Sequence, residues 1–312
     1  MRTPIISPIR RVRPASIRSQ PHHPGDNLRG AVLMCLSMLG FTCNDAVMKF
    51  VTQDMPLYQA IALRGIVVIL GILLIAWREG GLRLRVQPGA RWPMLLRLIG
   101  ELGSTLLFLN ALTRMAIGDL SAIMQSLPLV VMLAGAWFFG ETLGWRRMTA
   151  VLVGLLGVLI ILRPGSDAFG IWSVVALGAM VMVALRDLAT RTFGREVPSS
   201  TIAFYTAVGV TATGFALSLG QGWITPSLSH LLLLALAGAF LTVGYVTAVS
   251  AMRVGEMGYV APFRYTSLLA AIILGLVVFG DWPDLWTWVG SGLVVGAGVY
   301  TIWREAQLGW GR

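Results

Sequence analysis

Charged and polar side chains lie within long apolar stretches of this sequence, where they could bind a solute or move a proton. The stretch 28–51 carries Asn44, Asp45 and Lys49 in its last third. On a helix, Asp45 and Lys49 share one face with the acid nearer the N-terminus, which is the favourable order for an ion pair. Charges inside a membrane are costly unless they face protein or a water-filled cavity. The three residues therefore predict either a binding and coupling site or a fixed local ion pair.

Two arginines, Arg64 and Arg264, lie in other apolar stretches and have no acid three or four residues away. Each needs a partner on another helix, a water-filled cavity or an anionic substrate group. Counting from the ends of the stretches predicts two charged layers around a central cavity, Asp45 with Arg64 on the outer side and Asp187 with Arg264 on the inner side. The alternative is that these side chains form fixed ion pairs between helices or reach towards lipid headgroups.

Further polar residues in the apolar stretches are open to the same two interpretations. Arg97 and Glu101 are four residues apart near the inner end of the third stretch, so they form either a local ion pair or part of a site. Pro128 and Pro262 predict bends in the fourth and ninth helices, because proline breaks the backbone hydrogen-bond ladder. Uncharged side chains that could bond a solute or a neighbouring helix are Asn44, Asn110, Gln125, Tyr205, Tyr245 and Tyr265.

The composition predicts a membrane protein. Of the 312 residues, 56 % are hydrophobic and 12 % are charged, and the mean hydropathy is +0.77, outside the range of soluble domains. The net charge is +10, but the arginines are dispersed or gathered in the first 29 residues, without the basic aromatic platform that nucleic-acid binding needs. Cys35 and Cys43 would be about 12 Å apart along one helix, too far for a disulfide. No nucleic-acid partner and no metal site are expected.

Ten apolar stretches predict membrane helices, at 28–51, 57–77, 94–115, 120–139, 148–162, 170–189, 200–219, 228–252, 259–279 and 285–303. The second half of the chain repeats the first, since a shift of 142 positions aligns Asp45 and Lys49 with Asp187 and Arg191. Further on, Glu141 aligns with Asp281 after a shared Phe-Gly pair. Because each copy holds an odd number of helices, the copies must cross the membrane in opposite directions.

The sequence thus predicts an all-α membrane protein of ten transmembrane helices, built as two inverted five-helix repeats. The repeats are placed at 28–165 and 170–304, after a basic disordered cytoplasmic tail at 1–27 and before a cytoplasmic C-terminal tail at 305–312. Basic residues concentrate on the side of the bundle that holds both termini, and acids on the other side. This bias places both termini in the cytoplasm and predicts a bacterial inner-membrane location.

Glycine spacing and the absence of catalytic motifs narrow the interpretation further. The pairs Gly154 with Gly157 and Gly292 with Gly296 are interpreted as helix-packing positions, since small residues allow close approach in a membrane. The sequence contains no nucleophile elbow and no Walker-type phosphate loop. No catalytic residues, no cofactor and no enzymatic activity are therefore expected.

Several of these features resemble a known family. Ten helices in two inverted units, with the sequence FFGE at 138–141 before a glycine-rich fifth helix, resemble the drug/metabolite transporter superfamily, specifically its EamA-type members, over about 28–304. The cluster at Asn44, Asp45 and Lys49, together with Arg64, Arg97 and the run APFRY at 261–265, is similar to the branch that includes S-adenosylmethionine uptake transporters, although Glu101 departs from that branch.

This resemblance implies secondary transport without ATP, by alternating access between the two repeats. The same scaffold serves amino-acid exporters, nucleotide-sugar and riboflavin carriers and drug exporters. We therefore predict an inner-membrane transporter of a small organic metabolite, zwitterionic or cationic and S-adenosylmethionine-like, with the lipid bilayer as its surroundings and a coupling proton or a counter-substrate as a further partner. The alternatives are export of amino acids or drugs, a membrane enzyme acting on lipid or isoprenoid substrates, and a scaffold or receptor.

The candidate substrate-binding or coupling residues share two properties: they are polar, and they lie inside predicted helices. They are Asn44, Asp45, Lys49, Arg64, Arg97, Glu101, Gln125, Asp187, Arg264 and Tyr265. Asp45 or Asp187 is the candidate carrier of the proton or partner of a substrate amine. The sequence predicts neither the direction of transport nor the oligomeric state.

Overall fold

A computed structural model describes residues 24–78, 81, 84, 88–139, 144–164, 170–191, 199–254 and 257–309. The regular elements in these ranges are all helical. Within the described ranges, nine helices are long and apolar enough to cross a membrane, and a tenth apolar helix at Met148–Leu162 is shorter. Helices are favoured because backbone groups in hydrocarbon must find their hydrogen-bond partners within the same segment.

The α-helices are named here in chain order. They are α1 (Pro24–Val51), α2 (Leu57–Arg78), α3 (Arg91–Leu112), α4 (Ile117–Met124), α5 (Leu127–Phe139), α6 (Trp145–Leu162), α7 (Ile171–Arg191), α8 (Ser199–Ser218), α9 (Leu228–Val254), α10 (Met257–Val260), α11 (Thr266–Leu274) and α12 (Leu285–Gly309). Short 3-10 segments at Pro88–Ala90 and Ala261–Tyr265 and a π-helical turn at Gly275–Phe279 complete the described elements.

The helix pairing follows the internal repeat. The most extensive contacts join α1 to α9, α3 to α7, α2 to α8 and α6 to α12. When each helix is replaced by its equivalent in the other repeat, the α1–α9 pair becomes the α7–α3 pair. The α2–α8 and α6–α12 pairs are each mapped onto themselves. The ten-helix fold of two related five-helix units is therefore confirmed. The side chains of Arg191 and Glu141, which the repeat aligns with Lys49 and Asp281, lie outside the described part of the chain, as does the predicted tail up to residue 23.

The fourth and ninth passes are broken, whereas the sequence predicted continuous helices there. The fourth pass divides into α4 and α5 at Gln125 and Ser126, just before Pro128. The ninth pass divides into α10, the 3-10 segment with Pro262, α11 and the π-helical turn. A proline cannot donate to the preceding turn, so both breaks occur beside the prolines that predicted bends. The breaks expose backbone carbonyl groups to side chains of neighbouring helices.

Close helix contact depends on particular glycines. A Cβ atom at Gly100 of α3 would lie 2.8 Å from the backbone of Arg186 in α7, and one at Gly157 would lie 2.7 Å from the Gly290 carbonyl oxygen. Gly157 thus has the packing role predicted for it. At Gly292 and Gly296 no atom lies within 4 Å of such a Cβ, so the packing interpretation was wrong for that pair. Only the three-dimensional pairing of helices decides which glycines are in contact.

Candidate substrate-binding site

Glu101 of α3 lies between two guanidinium groups near the predicted inner end of the bundle. Its Oε2 atom is 3.5 Å from Nη1 of Arg186 and 3.8 Å from Nη2 of Arg97. The Arg186 Nε atom in turn lies 2.9 Å from Oδ1 of Asp187. The Glu101 side chain is 7 % exposed. The predicted local pair of Arg97 with Glu101 is therefore one part of a larger cluster that joins α3 to α7.

The packing of α3 on α7 brings this cluster together. Gly100 allows the backbones to approach, so the next residue, Glu101, lies within reach of Arg186. Arg97 donates a hydrogen bond to Thr190, and the Thr190 hydroxyl donates to the Arg186 carbonyl at 2.6 Å. Arg186 was not among the candidate site residues. Two signals in the sequence could have found it: Arg186 is a charged residue within the apolar stretch 170–189, and the shift of 142 positions aligns it with Asn44.

A second polar group, farther towards the predicted outer end, is centred on Asn44. Arg64 of α2 donates to Oδ1 of Asn44 at 3.0 Å, and Asn44 Nδ2 donates to Oδ1 of Asp45 at 2.9 Å. Asp45 and Arg64, predicted as one charged layer, interact electrostatically and are connected through the Asn44 amide. The Arg64 side chain is buried, and its Nε atom has no hydrogen-bond partner in the described structure. The guanidinium is thus held in place but incompletely paired.

Lys49 does not form the alternative local pair with Asp45. Its Nζ atom lies 3.0 Å from Oδ2 of Asp281 and donates to the Met115 carbonyl oxygen at 2.8 Å. The ammonium also lies 4.7 Å from the centre of the Phe279 ring. A lysine can reach a helix end because its long apolar stem packs along the protein while its charge lies at the end. Lys49 therefore joins helix ends and leaves Asp45 without a lysine partner.

Other contacts at the same end of the bundle tie the two repeats together. Arg163 of the turn after α6 forms an ion pair with Asp284, which precedes α12. The Thr287 hydroxyl of α12 donates to Oδ1 of Asp119 in α4 at 2.8 Å. Arg163 is also the one non-glycine residue with positive φ in the described ranges, at 48°. The predicted outer end is thus joined by polar contacts between residues far apart in the chain.

Arg264 lies in the 3-10 segment of the ninth pass. Within the described part of the chain its guanidinium forms no hydrogen bond and no ion pair, and it interacts electrostatically with Asp187 and Arg186. No ion pair between Asp187 and Arg264 is present in the described structure, so a charged layer formed by these two residues stays a prediction. The Tyr265 side chain points towards α12. Its buried hydroxyl occupies the position that a Cβ atom at Gly298 would take.

The uncharged candidates mostly connect helices or loops. Gln125, at the break in the fourth pass, donates to Ser267 and, at 3.5 Å, to the Arg264 carbonyl oxygen. Asn110 donates to a carbonyl of its own helix at 2.8 Å. The Tyr205 hydroxyl donates at 2.7 Å to the carbonyl oxygen of Leu84. These contacts agree with the alternative in which such residues are structural.

Tyr245 of α9 indicates an interior space between the two polar groups. Its ring packs edge-on against Phe41 of α1, with 5.3 Å between ring centres. Its hydroxyl is in electrostatic contact with charged side chains of α2, α3 and α7, namely Glu101, Arg186, Arg97 and Arg64. Nevertheless, 36 % of Tyr245 is exposed. We interpret this accessible surface as facing the interior of the bundle, because the hydroxyl interacts electrostatically with charges of three other helices.

Seven ionisable side chains lie around this space and its inner margin. Glu101 and Asp187 are each in an ion pair with Arg186, and Glu101 also pairs with Arg97. Of the remaining three, Asp45 and Arg64 are linked through Asn44, and Arg264 has no hydrogen-bonded partner in the described ranges. These ranges contain no group of three or more side chains that could hold a metal ion. The arrangement can provide an acid at one side of a solute and an arginine at the other.

Comparison with known families identifies the scaffold. Residues 28–163 and 170–303 each match the model of the EamA-like transporter family. The chain belongs to this family. Together with the nine membrane-length apolar helices and the shorter tenth one in the described ranges, membership of the EamA-like transporter family identifies a multi-pass membrane protein.

Three relatives of this EamA-like protein have named activities. An S-adenosylmethionine uptake transporter of Rickettsia bellii is 26 % identical over 58 % of the chain, and the match spans only 62 % of that relative. A riboflavin transporter of Vibrio cholerae is 25 % identical over 88 % of the chain and 92 % of the relative. A pseudopaline exporter of Pseudomonas aeruginosa is 27 % identical over 85 % of the chain and 93 % of the relative.

A solved crystal structure shares the fold. It has a TM-score of 0.65 and 18 % sequence identity, and the superposition covers 89 % of this chain and 98 % of the other. At this identity the likeness supports the EamA-like fold and carries no information on the transported compound.

Proposed function

We propose that this protein is a secondary transporter, and not an enzyme, that moves a small zwitterionic organic metabolite across a bacterial inner membrane by alternating access. The observation that carries the proposal is the accessible surface of Tyr245, which lies between an acid-containing group at Asn44 and Asp45 and the arginine-rich cluster around Glu101. Charged groups around an interior space in a membrane are costly, and they are retained where a polar solute or ion must pass.

The relatives support transport of a polar organic compound without agreeing on one substrate. Those named above carry S-adenosylmethionine, riboflavin or pseudopaline. Acids and arginines on opposite sides of one space favour a compound that bears both charges, and the Tyr245 and Phe41 rings can pack against an apolar or aromatic part. S-adenosylmethionine has these features, so it is the first compound to test, and amino-acid export remains the alternative.

The proposed orientation places both termini in the cytoplasm. The loop at 78–92 and the sequence after α5 carry arginines, whereas Asp54, Asp119, Asp281 and Asp284 lie at the other end. This bias is typical of proteins that retain their basic loops inside. The contacts of Lys49 and Arg163 then join the two repeats on the outer side, where alternating access requires the helix ends to separate.

Counterflow in liposomes tests the proposal. Purified protein would be reconstituted into vesicles preloaded with an unlabelled compound, and uptake of the labelled compound would be measured. The panel is S-adenosylmethionine, methionine, lysine and, as a compound without a zwitterionic head, riboflavin. We expect counterflow of at least one zwitterion, its loss in the Arg64→Ala, Arg264→Ala double variant, and its retention in Gly292→Ala, a change at an open position of α12.

The result that would overturn the proposal is equally specific. Counterflow of riboflavin alone would contradict the zwitterionic substrate while leaving a transporter. No counterflow of any of the four compounds, from protein that elutes as a single folded species, would contradict the proposal as stated. For a compound that shows counterflow, vesicles that contain it on one side only, with and without a proton gradient, would report the direction of transport and its coupling to protons.

A further inference from the structure

Within the described part of the chain, the Arg264 guanidinium forms no hydrogen bond and no ion pair, whereas Arg97 and Arg186 pair with acids and Arg64 donates to Asn44. We infer that Arg264 binds an anionic group of the transported compound, specifically a carboxylate, at the inner margin of the space beside Tyr245. The inference rests on the proposed function and goes beyond it, because it assigns the charge, the position and the orientation of one substrate group.

Among the described residues, Asp187 is the acid that acts electrostatically on Arg264, and it is already in an ion pair. Arg186 lies 2.9 Å from Asp187 and 3.5 Å from Glu101, and Arg97 lies 3.8 Å from Glu101. Asp187 therefore acts on Arg264 only from beyond hydrogen-bond distance. A guanidinium group stays protonated in proteins and is the side chain best shaped to bind a carboxylate through two parallel hydrogen bonds. Within the described ranges no acid pairs with the Arg264 guanidinium, which leaves this group able to bind an anion.

The backbone around Arg264 is held without neutralising its charge. Its carbonyl oxygen accepts a hydrogen bond from Ser267 Oγ at 3.0 Å and one from Gln125 at 3.5 Å. Gln125 lies in the break of the fourth pass, so the two broken passes support each other at this point. These contacts hold the Arg264 backbone, so only its side chain must be ordered when a ligand binds.

The opposite pole of the site is acidic. Asp45 lies on the predicted outer side and receives one hydrogen bond, from Asn44. Phe263, the residue before Arg264, packs against the same apolar cluster as Phe41, and the Phe41 ring packs against Tyr245, so Arg264 lies near Tyr245. A zwitterion would therefore lie with its cationic centre towards Asp45 and its carboxylate towards Arg264.

Paired compounds that differ only in the carboxylate test this assignment. In competition with labelled S-adenosylmethionine, unlabelled S-adenosylmethionine would be compared with its decarboxylated analogue, and methionine with methionine amide. We expect wild-type protein to prefer the acids by about 10- to 100-fold, the range expected for a charged hydrogen bond. Arg264→Gln should remove that preference by weakening the acids and leaving the analogues unchanged. Arg264→Lys should retain part of it.

The controls separate this role from a structural one. Arg114→Gln changes an exposed arginine that lies over the Trp172 ring, 5.7 Å from its centre, and should preserve the preference. If Arg264→Gln weakens acids and analogues equally, Arg264 is structural and the inference is wrong although transport stands. If the effect of Arg264→Gln appears only in vesicles with phosphatidylglycerol and not in pure phosphatidylcholine, the bound anion is a lipid phosphate and the inference is also wrong. If wild-type protein transports none of these compounds, the proposed function fails and the inference fails with it.

Discussion

Lys49 and Asp281 form an ion pair of 3.0 Å between residues 232 positions apart in the chain. The pair joins the end of α1 to the segment that follows the π-helical turn. That segment begins at Gly280, whose positive φ of 70° ends the turn, and the Asp281 amide donates to the Gly275 carbonyl oxygen at 2.9 Å. The backbone therefore directs Asp281 towards α1, and the contact closes the predicted outer end.

Reversing the charge of either Lys49 or Asp281 should weaken the contact that closes the predicted outer end. Reversing both charges together should restore part of that contact. Lys49→Glu and Asp281→Lys each place like charges together, so each should lower the melting temperature in detergent and slow counterflow. The Asp281 side chain is 33 % exposed, so solvent limits the loss of stability to about 1 kcal/mol. The Lys49→Glu, Asp281→Lys double variant should recover stability incompletely, because the Met115 carbonyl oxygen and the Phe279 ring favour a cation at position 49.

The control for the charge exchange is Arg304→Glu in the last part of α12, whose Arg304 makes a surface hydrogen bond to Gln307. It should leave both measurements unchanged. If the double variant were no better than the worse single variant, the pair would not carry the closure.

Substituting Gly100 should separate α3 from α7. The new methyl group of Gly100→Ala would lie 2.8 Å from the backbone nitrogen of Arg186 and from the Met182 carbonyl oxygen, and neither backbone atom can rotate away. We expect a loss of about 1–3 kcal/mol in the free energy of unfolding and weaker counterflow, since Glu101 moves relative to Arg186. Gly292→Ala is the matched control, because it changes a helical glycine with open space around it and should be neutral or stabilising by about 0.5–1 kcal/mol. Equal melting temperatures for the two variants would contradict this account.

Removing the Asn44 amide should disconnect Arg64 from Asp45. Asn44→Leu keeps the side-chain size and leaves the buried Arg64 guanidinium without its hydrogen bond, which costs about 1–3 kcal/mol. Unfolding in detergent measures the loss, and substrate affinity should fall in the same variant. Asn110→Leu is the control, since Asn110 bonds mainly to its own helix and should cost less. An Asn44→Leu protein as stable as the Asn110→Leu protein would show that the Asn44 link is unimportant.

Asp45 is the candidate carrier of a coupling proton. If it has this role, Asp45→Asn should abolish uptake driven by a proton gradient and should spare solute exchange, because the amide retains hydrogen bonding but cannot be charged. Uptake into vesicles with an imposed gradient, compared with counterflow without one, measures the difference. Unchanged gradient-driven uptake would remove the role from Asp45, and loss of both activities would assign Asp45 to substrate binding.

Some features of the site followed from local sequence. Arg64 and Arg264 were predicted to need distant partners because no acid lies one helical turn away, and both are incompletely paired in the described structure. The breaks beside Pro128 and Pro262 followed from the missing backbone donor of proline. These predictions depend only on neighbouring residues along one chain segment.

The partners of Lys49 and Arg186 could not be predicted from neighbouring residues in the sequence. The sequence offered Asp45 as a partner of Lys49 because four residues separate them. Lys49 pairs with Asp281 instead, since a charge near a helix end can reach any group that the fold brings to that end. Arg186 was left out of the site because its partner Glu101 belongs to the other repeat. The rotation of each helix about its own axis decides both contacts, and helices that are apolar on most sides carry little information about that rotation.

Sequence alone determined that this is a membrane protein, that it has ten helical passes in two related units, and which charged side chains are placed among apolar neighbours. Hydropathy and repeat alignment are properties of the linear chain, so they need no knowledge of packing. Only the tertiary structure decided that Asn44 connects Asp45 to Arg64, that Glu101 pairs with Arg186 across α3 and α7, and that Arg264 forms no ion pair within the described ranges. Those relations arise where different helices meet, and the free energy of each charge depends on the neighbours that these helices provide.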